Sequence, residues 1–297
     1  MANANVTTAA ETKLSKSANF ARVREIEFTR LFNANIKKLV EALGVTRMIP
    51  KESGAQLKVL TVTGTLESGS VAEGEIIPLS EYATTWESIG TITLKKWRKS
   101  TSIEAINEKG YDQAVTATTD KMMKQIQSGI RSAFFSYLAQ GTGVAGGTDF
   151  QATLADCWGM LQVLFEDNDI EAVYFMNPLD VSAYLGQANI TLQTLFGMTY
   201  IENFLGLGTV FLNSSVPQGK IYATAKENIV CYFVKADAAD ISDAFSFTTD
   251  QTGLIGIHEQ PNYDRATVDD TVISGVAFFA ENLGGVVVGT IGTVPSR

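Results

Sequence analysis

One histidine, His258, stands in a chain of 297 residues, and that scarcity bounds the possible chemistry tightly. A nucleophilic triad would have to be built on this single imidazole, and a multi-histidine metal site cannot exist. Its surroundings, GLIGIHEQPNYD, alternate like a strand end running into a turn, which gives His258 a structural or surface place. The two cysteines, Cys157 and Cys231, cannot make a disulfide framework or a zinc ligand set on their own. Cys157 falls beside Trp158 on an expected helix and Cys231 in an apolar strand. No second histidine is present to activate either, so both read as packed small hydrophobes.

Gly141, Gly143 and Gly146 match G-x-G-x-x-G. A dinucleotide fingerprint needs a strand before it and a helix directly after it, so that the pyrophosphate sits on the helix N-terminus. Here a long amphipathic pattern precedes it, so Gly141–Gly147 reads as a linker. A nucleotide-binding enzyme using that loop is the weaker alternative. Asp167, Asn168, Asp169 and Glu171 are acidic but lack the Gly and Glu spacing of an EF-hand loop, and read as a solvated turn. Asp269 and Asp270, in ATVDDT, read as a loop in the same way. There is no phosphate-loop motif and no nucleophile elbow. The expectation is a chain with no catalytic residue, no metal and no cofactor: not an enzyme.

The formal net charge of −9 argues against a surface that grips nucleic acid everywhere. Its distribution says more. Residues 1–58 carry +5, 59–90 carry −5, 91–131 carry +4 and 132–297 carry −13. Such alternation suits complementary patches that meet between copies of the chain, or a basic arm facing a polyanion. The start, MANANVTTAAETKLSKSANF, lacks the basic-then-apolar pattern of a signal peptide, and no run of 18 apolar residues suggests a membrane span. The expected compartment is therefore the cytoplasm, with no membrane partner.

The elements that must carry these residues follow from periodicity. Residues 1–20 are small and polar and await a partner. Residues 22–43 read as an amphipathic helix with Val23, Ile26, Leu31, Ile36, Leu39, Val40 and Leu43 on one face and Gly44 as its stop. Residues 56–66 and 83–98 read as two strands of a long arm, joined by the loop ESGSVAEGE and carrying Trp86 and Trp97. An isolated hairpin is marginal in water, so the arm calls for a surface on another subunit. Residues 107–140 form the clearest helix: Tyr111, Val115, Met122, Ile126, Ile130, Phe134 and Leu138 step by four or seven. At 1.5 Å per residue it is a rod of about 45 Å, ending at Gly141 as a left-handed cap. Beyond it the chain reads as α/β. A helix over 151–166 precedes a buried strand EAVYFM and a helix capped by Asn177 with Pro178 first. TVFLNSSVPQGKIYAT gives strand, turn, strand; IVCYFV is a strand; residues 271–291 form two strands joined at Asn282–Gly285.

This order of elements resembles the major capsid proteins of tailed bacteriophages, the HK97-like fold. GEIIPLSEYATTWESIGTITLKKWRKSTSIEAINEKGYDQAVTATTDKMMKQIQSGIRSAFFSYLAQGTG is similar to that family's extended loop, return strand and spine helix. FMNPLDVSAYLG and VFLNSSVPQGKIYAT are similar to segments of its axial domain. The resemblance implies an α+β fold divided at 1–44 (N-terminal arm and first helix), 45–106 (extended loop and peripheral strands), 107–148 (spine helix), 149–260 (axial domain) and 261–297 (C-terminal strands).

It also implies a structural role. Copies would form hexamers and pentamers that tile an icosahedral shell around double-stranded DNA held non-specifically, with a portal and a separate scaffolding protein, in a virion assembled in the host cytoplasm. Under this resemblance Glu67, Glu73, Glu75, Trp86, Lys95, Lys96, Trp97, Arg98 and Lys99 become candidate contacts between subunits. Lys13, Lys16, Arg22, Arg24 and Arg30 become candidate DNA-facing residues of the arm. Some members join a loop lysine to an asparagine of the next subunit. Lys95 and Lys96 do not match a loop tip, so no such crosslink is expected. An encapsulin-like cage, which shares the fold, is the nearest alternative.

Overall fold

The structure, a computed structural model, describes residues 17–43, 45, 47–165, 170–186, 192–195, 198–249 and 251–293. In chain order the elements are α1 (Ser17–Leu43), β1 (Met48–Pro50), β2 (Gln56–Thr65), β3 (Glu81–Thr91), β4 (Lys95–Ser102) and α2 (Ile103–Lys109). A π-helical turn (Asp112–Thr116) leads into α3 (Ala117–Leu138), followed by β5 (Gly143–Gly147), α4 (Phe150–Leu164), β6 (Ala172–Met176), α5 (Pro178–Leu185), β7 (Gln193–Leu195) and β8 (Met198–Ile201). Then come β9 (Thr209–Leu212), β10 (Lys220–Ala225), β11 (Ile229–Phe233), α6 (Ala239–Ala244), β12 (Ile255–Asn262), β13 (Thr267–Ser274), β14 (Ala277–Ala280) and β15 (Val286–Ile291).

A seven-stranded mixed sheet, ordered β5-β15-β10-β6-β9-β8-β7, is the centre of the fold. β6 is apolar at every position because it is covered on both faces. Val173 and Phe175 face α1 and α3 in one core, while Ala172, Tyr174 and Met176 face Leu154, Cys157 and Leu161 of α4 in the other. Phe134 and Phe135 of α3 meet Phe175 edge-on at centroid distances of 5.5 and 5.4 Å, a geometry that aromatic quadrupoles favour. Asn177 caps α5 as expected, its Oδ1 accepting from the Leu179 N–H at 3.0 Å, with Pro178 in the first turn.

Among the described residues two three-stranded sheets complete the body, β1-β11-β14 and β12-β13-β4, and β2 and β3 pair only with each other. The last of these is the expected arm, but it is shorter than the sequence suggests. Ile92 is fully buried in a third apolar cluster with Leu57, Val230 and Tyr232, and the Leu94 N–H donates to Ser53 Oγ. The chain is pinned there, so 83–98 is two strands: β3 in the arm and β4 in the body. At the C-terminal end Gly275 separates β13 from β14, so 271–291 holds parts of three strands. The Asn282–Gly285 turn does join the last two. A domain boundary at 260 falls inside β12.

The spine helix is interrupted. α2 ends at Gly110 (φ 78°), the π-helical turn follows, and α3 begins at Ala117. Val115, Ile126, Ile130, Phe134 and Leu138 are buried as their spacing requires, whereas Tyr111 lies at the surface. The last α3 residue is Leu138, and Ala139 closes it in a right-handed conformation. Gly141 is therefore no left-handed cap. It is needed because a Cβ there would lie 2.6 Å from the Val286 carbonyl oxygen. On α1, Phe28, Phe32, Ile36, Leu39, Val40 and Leu43 form the buried face, while Ile26 and Leu31 are exposed. The apolar stripe runs through the phenylalanines rather than through those two residues. Gly44 lies outside the described residues.

Candidate assembly surfaces

Direct cross-strand pairing sets the two faces of the arm. Leu60 lies opposite Trp86, Val62 opposite Thr84 and Gly64 opposite Tyr82, so their side chains share one face. The other face carries Val59, Thr63 and Thr65 with Glu87, Ala83 and Glu81. Trp86 is 68% exposed and Val62 58%, so the first face is apolar and nothing among the described residues covers it. The tip beyond the ladder contains Glu67, Glu73 and Glu75, as the acidic composition indicates. It also presents Ile76 and Leu79, both more than 90% exposed. Those apolar tip residues were legible in GEIIPLSE but masked by the surrounding glutamates.

The basic segment after the arm has a different setting. β4 pairs antiparallel with β13, placing Arg98 opposite Thr271 and Lys99 opposite Asp270. Asp269 and Asp270 are not in a loop: they are central-strand residues with almost no exposure. Arg98 Nη2 and Ser100 Oγ both donate to Asp269. The Ser100 hydroxyl first, then the Arg98 guanidinium, hold the Asp269 carboxyl well below the usual carboxylate range. Lys99 Nζ lies 2.9 Å from Asp270 Oδ2 and donates to the Val115 carbonyl at 2.9 Å, and to the Thr118 and Thr119 hydroxyls at 2.8 Å each. Val115 belongs to the π-helical turn, and its carbonyl also accepts from the Thr118 and Thr119 hydroxyls at 2.9 and 2.8 Å. Arg98 and Lys99 are thus engaged within the chain, and Trp97 packs against the main core. Lys95 and Lys96, at the start of β4, are exposed and make no ion pair among the described residues.

The arm cations divide in the same way. Arg24 pairs with Glu259 of β12, and its guanidinium carbon lies 4.4 Å from the Tyr111 ring centroid, so it ties α1 to the body. Tyr111 Oη donates to Glu259 Oε1 at 2.7 Å, and burial together with that bond pushes the phenol up to about 12. Buried Glu25 accepts from the Glu259 N–H and the Thr248 hydroxyl, and His258 Nδ1 lies 3.9 Å from it. The lone histidine therefore has a structural setting on β12. Arg30 is 73% exposed in its side chain and stands one turn from Glu27. Lys13 and Lys16 lie outside the described residues, and Arg22 is within α1.

The glycine-rich segment is neither a linker nor a phosphate cradle. It is edge strand β5, parallel to β15. A Cβ on Gly147 would lie 2.5 Å from the Thr153 backbone nitrogen, and the Asp149 carboxylate already caps α4 by accepting from Ala152 N at 2.8 Å. A carboxylate on that helix N-terminus occupies the place an anion would take. Cys157 and Cys231 are fully buried, and burial pushes each thiol up to about 12, the opposite of nucleophile activation. Asp167, Asn168 and Asp169 lie outside the described residues, whereas Glu171 pairs with Lys226. Among the described residues no cluster of His, Cys, Asp and Glu could hold a metal ion, and no helix is long and apolar enough to cross a membrane.

No family model and no curated protein matches the sequence. The fold does match solved structures. Gordonia phage Cozz aligns over 86% of this chain and 87% of its own at 10% identity, with a TM-score of 0.57. The capsid asymmetric unit of cyanophage A-1(L) aligns over 86% and 93% at 11% identity, TM-score 0.53. A virus-like particle from Pyrococcus furiosus aligns over 88% and 97% at 12% identity, TM-score 0.51. The fold is therefore α+β and HK97-like, as found in capsid shells.

Proposed function

We propose that this chain is the major capsid protein of a tailed bacteriophage, a structural subunit rather than an enzyme. One observation carries the reading. The β2–β3 arm extends from the body with one apolar face, Leu60, Val62, Tyr82 and Trp86, that the described residues leave in water. An isolated two-stranded ribbon with such a face is marginal alone and calls for a partner surface. The likeness to phage capsid structures indicates what that partner is: another copy. Copies then form hexamers and pentamers that close an icosahedral shell around double-stranded DNA. The exposed Arg30, Lys37 and Lys38 of α1, with Lys13, Lys16 and Arg22 before them, supply non-specific phosphate contacts. Arg24 pairs with Glu259 inside the chain, which favours its neighbours over it for that role. A separate scaffolding protein and a portal are the further partners, and the virion is the final location.

Negative-stain microscopy of the purified chain tests the reading. Capsomer rings or closed shells are expected, and a monomer that persists at high concentration sinks it. The likeness to the Pyrococcus furiosus particle keeps an encapsulin-like cage as the second reading. Particles carrying nuclease-protected DNA in the native host support the first reading, and particles filled with a protein cargo support the second.

A further inference from the structure

Where the chain passes from the arm into the body the structure holds a cleft of about 270 Å³, lined by Thr91, Lys95, Phe134, Tyr137, Phe278 and Phe279 among others. Phe134, Tyr137, Phe278 and Phe279 give its lining an aromatic part, and Lys95 makes no ion pair among the described residues. At the far end of the same arm, Glu75-Ile76-Ile77-Pro78-Leu79 offers the converse chemistry: aliphatic side chains 73–94% exposed and led by a carboxylate. The two match in polarity and in charge. They cannot meet within one chain. β2 has ten residues, and at ~3.3 Å each the tip stands about 30 Å from the base where the cleft opens.

We propose that the Glu75–Leu79 segment of one copy seats in the Lys95 cleft of the next. The apolar side chains cover the Phe134, Phe278 and Phe279 floor, and Glu75 faces Lys95. This rests on the reading that copies assemble through the arm, and names the site that receives it. The contact joins different surfaces of the two copies, so it propagates head to tail and closes into a ring when the rotation allows.

Cysteine pairing tests the seat in assembled full-length chain. Ile77 is exposed at the tip, and Ser136 is an exposed lining residue of the cleft. The native thiols are fully buried and do not compete. Mild oxidation of the Ile77→Cys/Ser136→Cys variant is expected to give a ladder of covalent multimers. A mixture of the two single variants should stop at dimers. Ile77→Cys with Val163→Cys, on exposed α4 surface, should give no ladder. Rings or shells that form without a ladder overturn the seat and leave the capsid reading standing. An equal ladder from the Val163→Cys pair also overturns the seat. A chain that never assembles removes both.

Discussion

Three residues, Ile92 to Leu94, separate the arm from the ladder that β4 makes with β13, yet the two regions solve opposite problems. In the β4–β13 ladder the charges are answered inside the chain: Arg98 and Ser100 by Asp269, Lys99 by Asp270 and a π-turn carbonyl. In the arm the apolar residues are unanswered: Leu60, Val62, Tyr82, Trp86 and the tip isoleucines stand in water. A charge already neutralised in cis has little left to steer a neighbour. An apolar face left bare has its whole transfer free energy available for association. The adhesive of the proposed assembly is therefore chiefly apolar, and the charges at the junction chiefly hold the fold.

The largest expected effect lies on the cis side. Asp270 is 1% exposed and Lys99 Nζ sits beside it. Asp270→Ala should lower unfolding free energy by about 3 kcal/mol, because it strands a poorly solvated ammonium. Asp270→Leu with Lys99→Met should recover most of that loss. Urea denaturation at pH 7, on chain kept dissociated, measures both. A single variant within about 0.5 kcal/mol of the parent would erase the contrast between the two regions.

On the trans side, Trp86→Ser should leave the dissociated chain's stability within about 0.5 kcal/mol, as an exposed position should. It should raise the concentration needed for assembly about 30-fold, the weight of a buried aromatic anchor of about 2 kcal/mol. Light scattering against protein concentration reads the second quantity. Equal loss of stability and assembly would place Trp86 within the fold and not on a free face.

These two regions also show what a sequence can disclose. The Asn177–Pro178 helix start and the β6 strand were legible because a cap is local and a strand buried on both faces is apolar throughout. The break at Ile92 was not. Strand-forming residues continue on both sides of it, and the pin is Ile92 packing near Val230 and Tyr232, far along the chain. Asp269 and Asp270 look like a loop for the same reason: Arg98 lies 171 residues from Asp269, and without it two adjacent carboxylates have no business in a central strand. For the proposed assembly surfaces, the arm's length and Trp86 are the features of the sequence that suggest a partner. Which lysines make no ion pair among the described residues, Lys95 and Lys96 but not Lys99, depended on strand register.

A smaller effect follows from Asp269. Its folded-state carboxyl titrates well below its unfolded value, so its contribution to stability is complete above the unfolded pKa of ~3.9. That contribution is lost as pH falls from there toward the folded pKa. Asp269→Asn should therefore be less stable than the parent at pH 7 and at pH 5, and the gap should narrow below about pH 4. Guanidinium midpoints across that range, taken on both chains, read the gap. A gap that widens on acidification would contradict the pairing with Ser100 and Arg98.

The smallest effect is expected at the acidic tip, where the charge alternation of the sequence drew attention to complementary patches. Glu73 and Glu75 are exposed, and a solvent-exposed ion pair contributes about 0.2–1 kcal/mol. Charge reversal of both to lysine should shift the assembly concentration by no more than about fivefold, and the shift should shrink as salt rises past a Debye length of about 8 Å. Lys95→Glu should produce a shift of similar size. Combining it with Glu75→Lys should restore parental assembly, whereas Lys96→Glu with Glu75→Lys should not. If reversal changes neither yield nor salt dependence, electrostatic steering by the tip is gone and the apolar seat stands alone. A shift beyond about 30-fold would reverse the ranking, making charge the main adhesive and the bare face of the arm its minor companion.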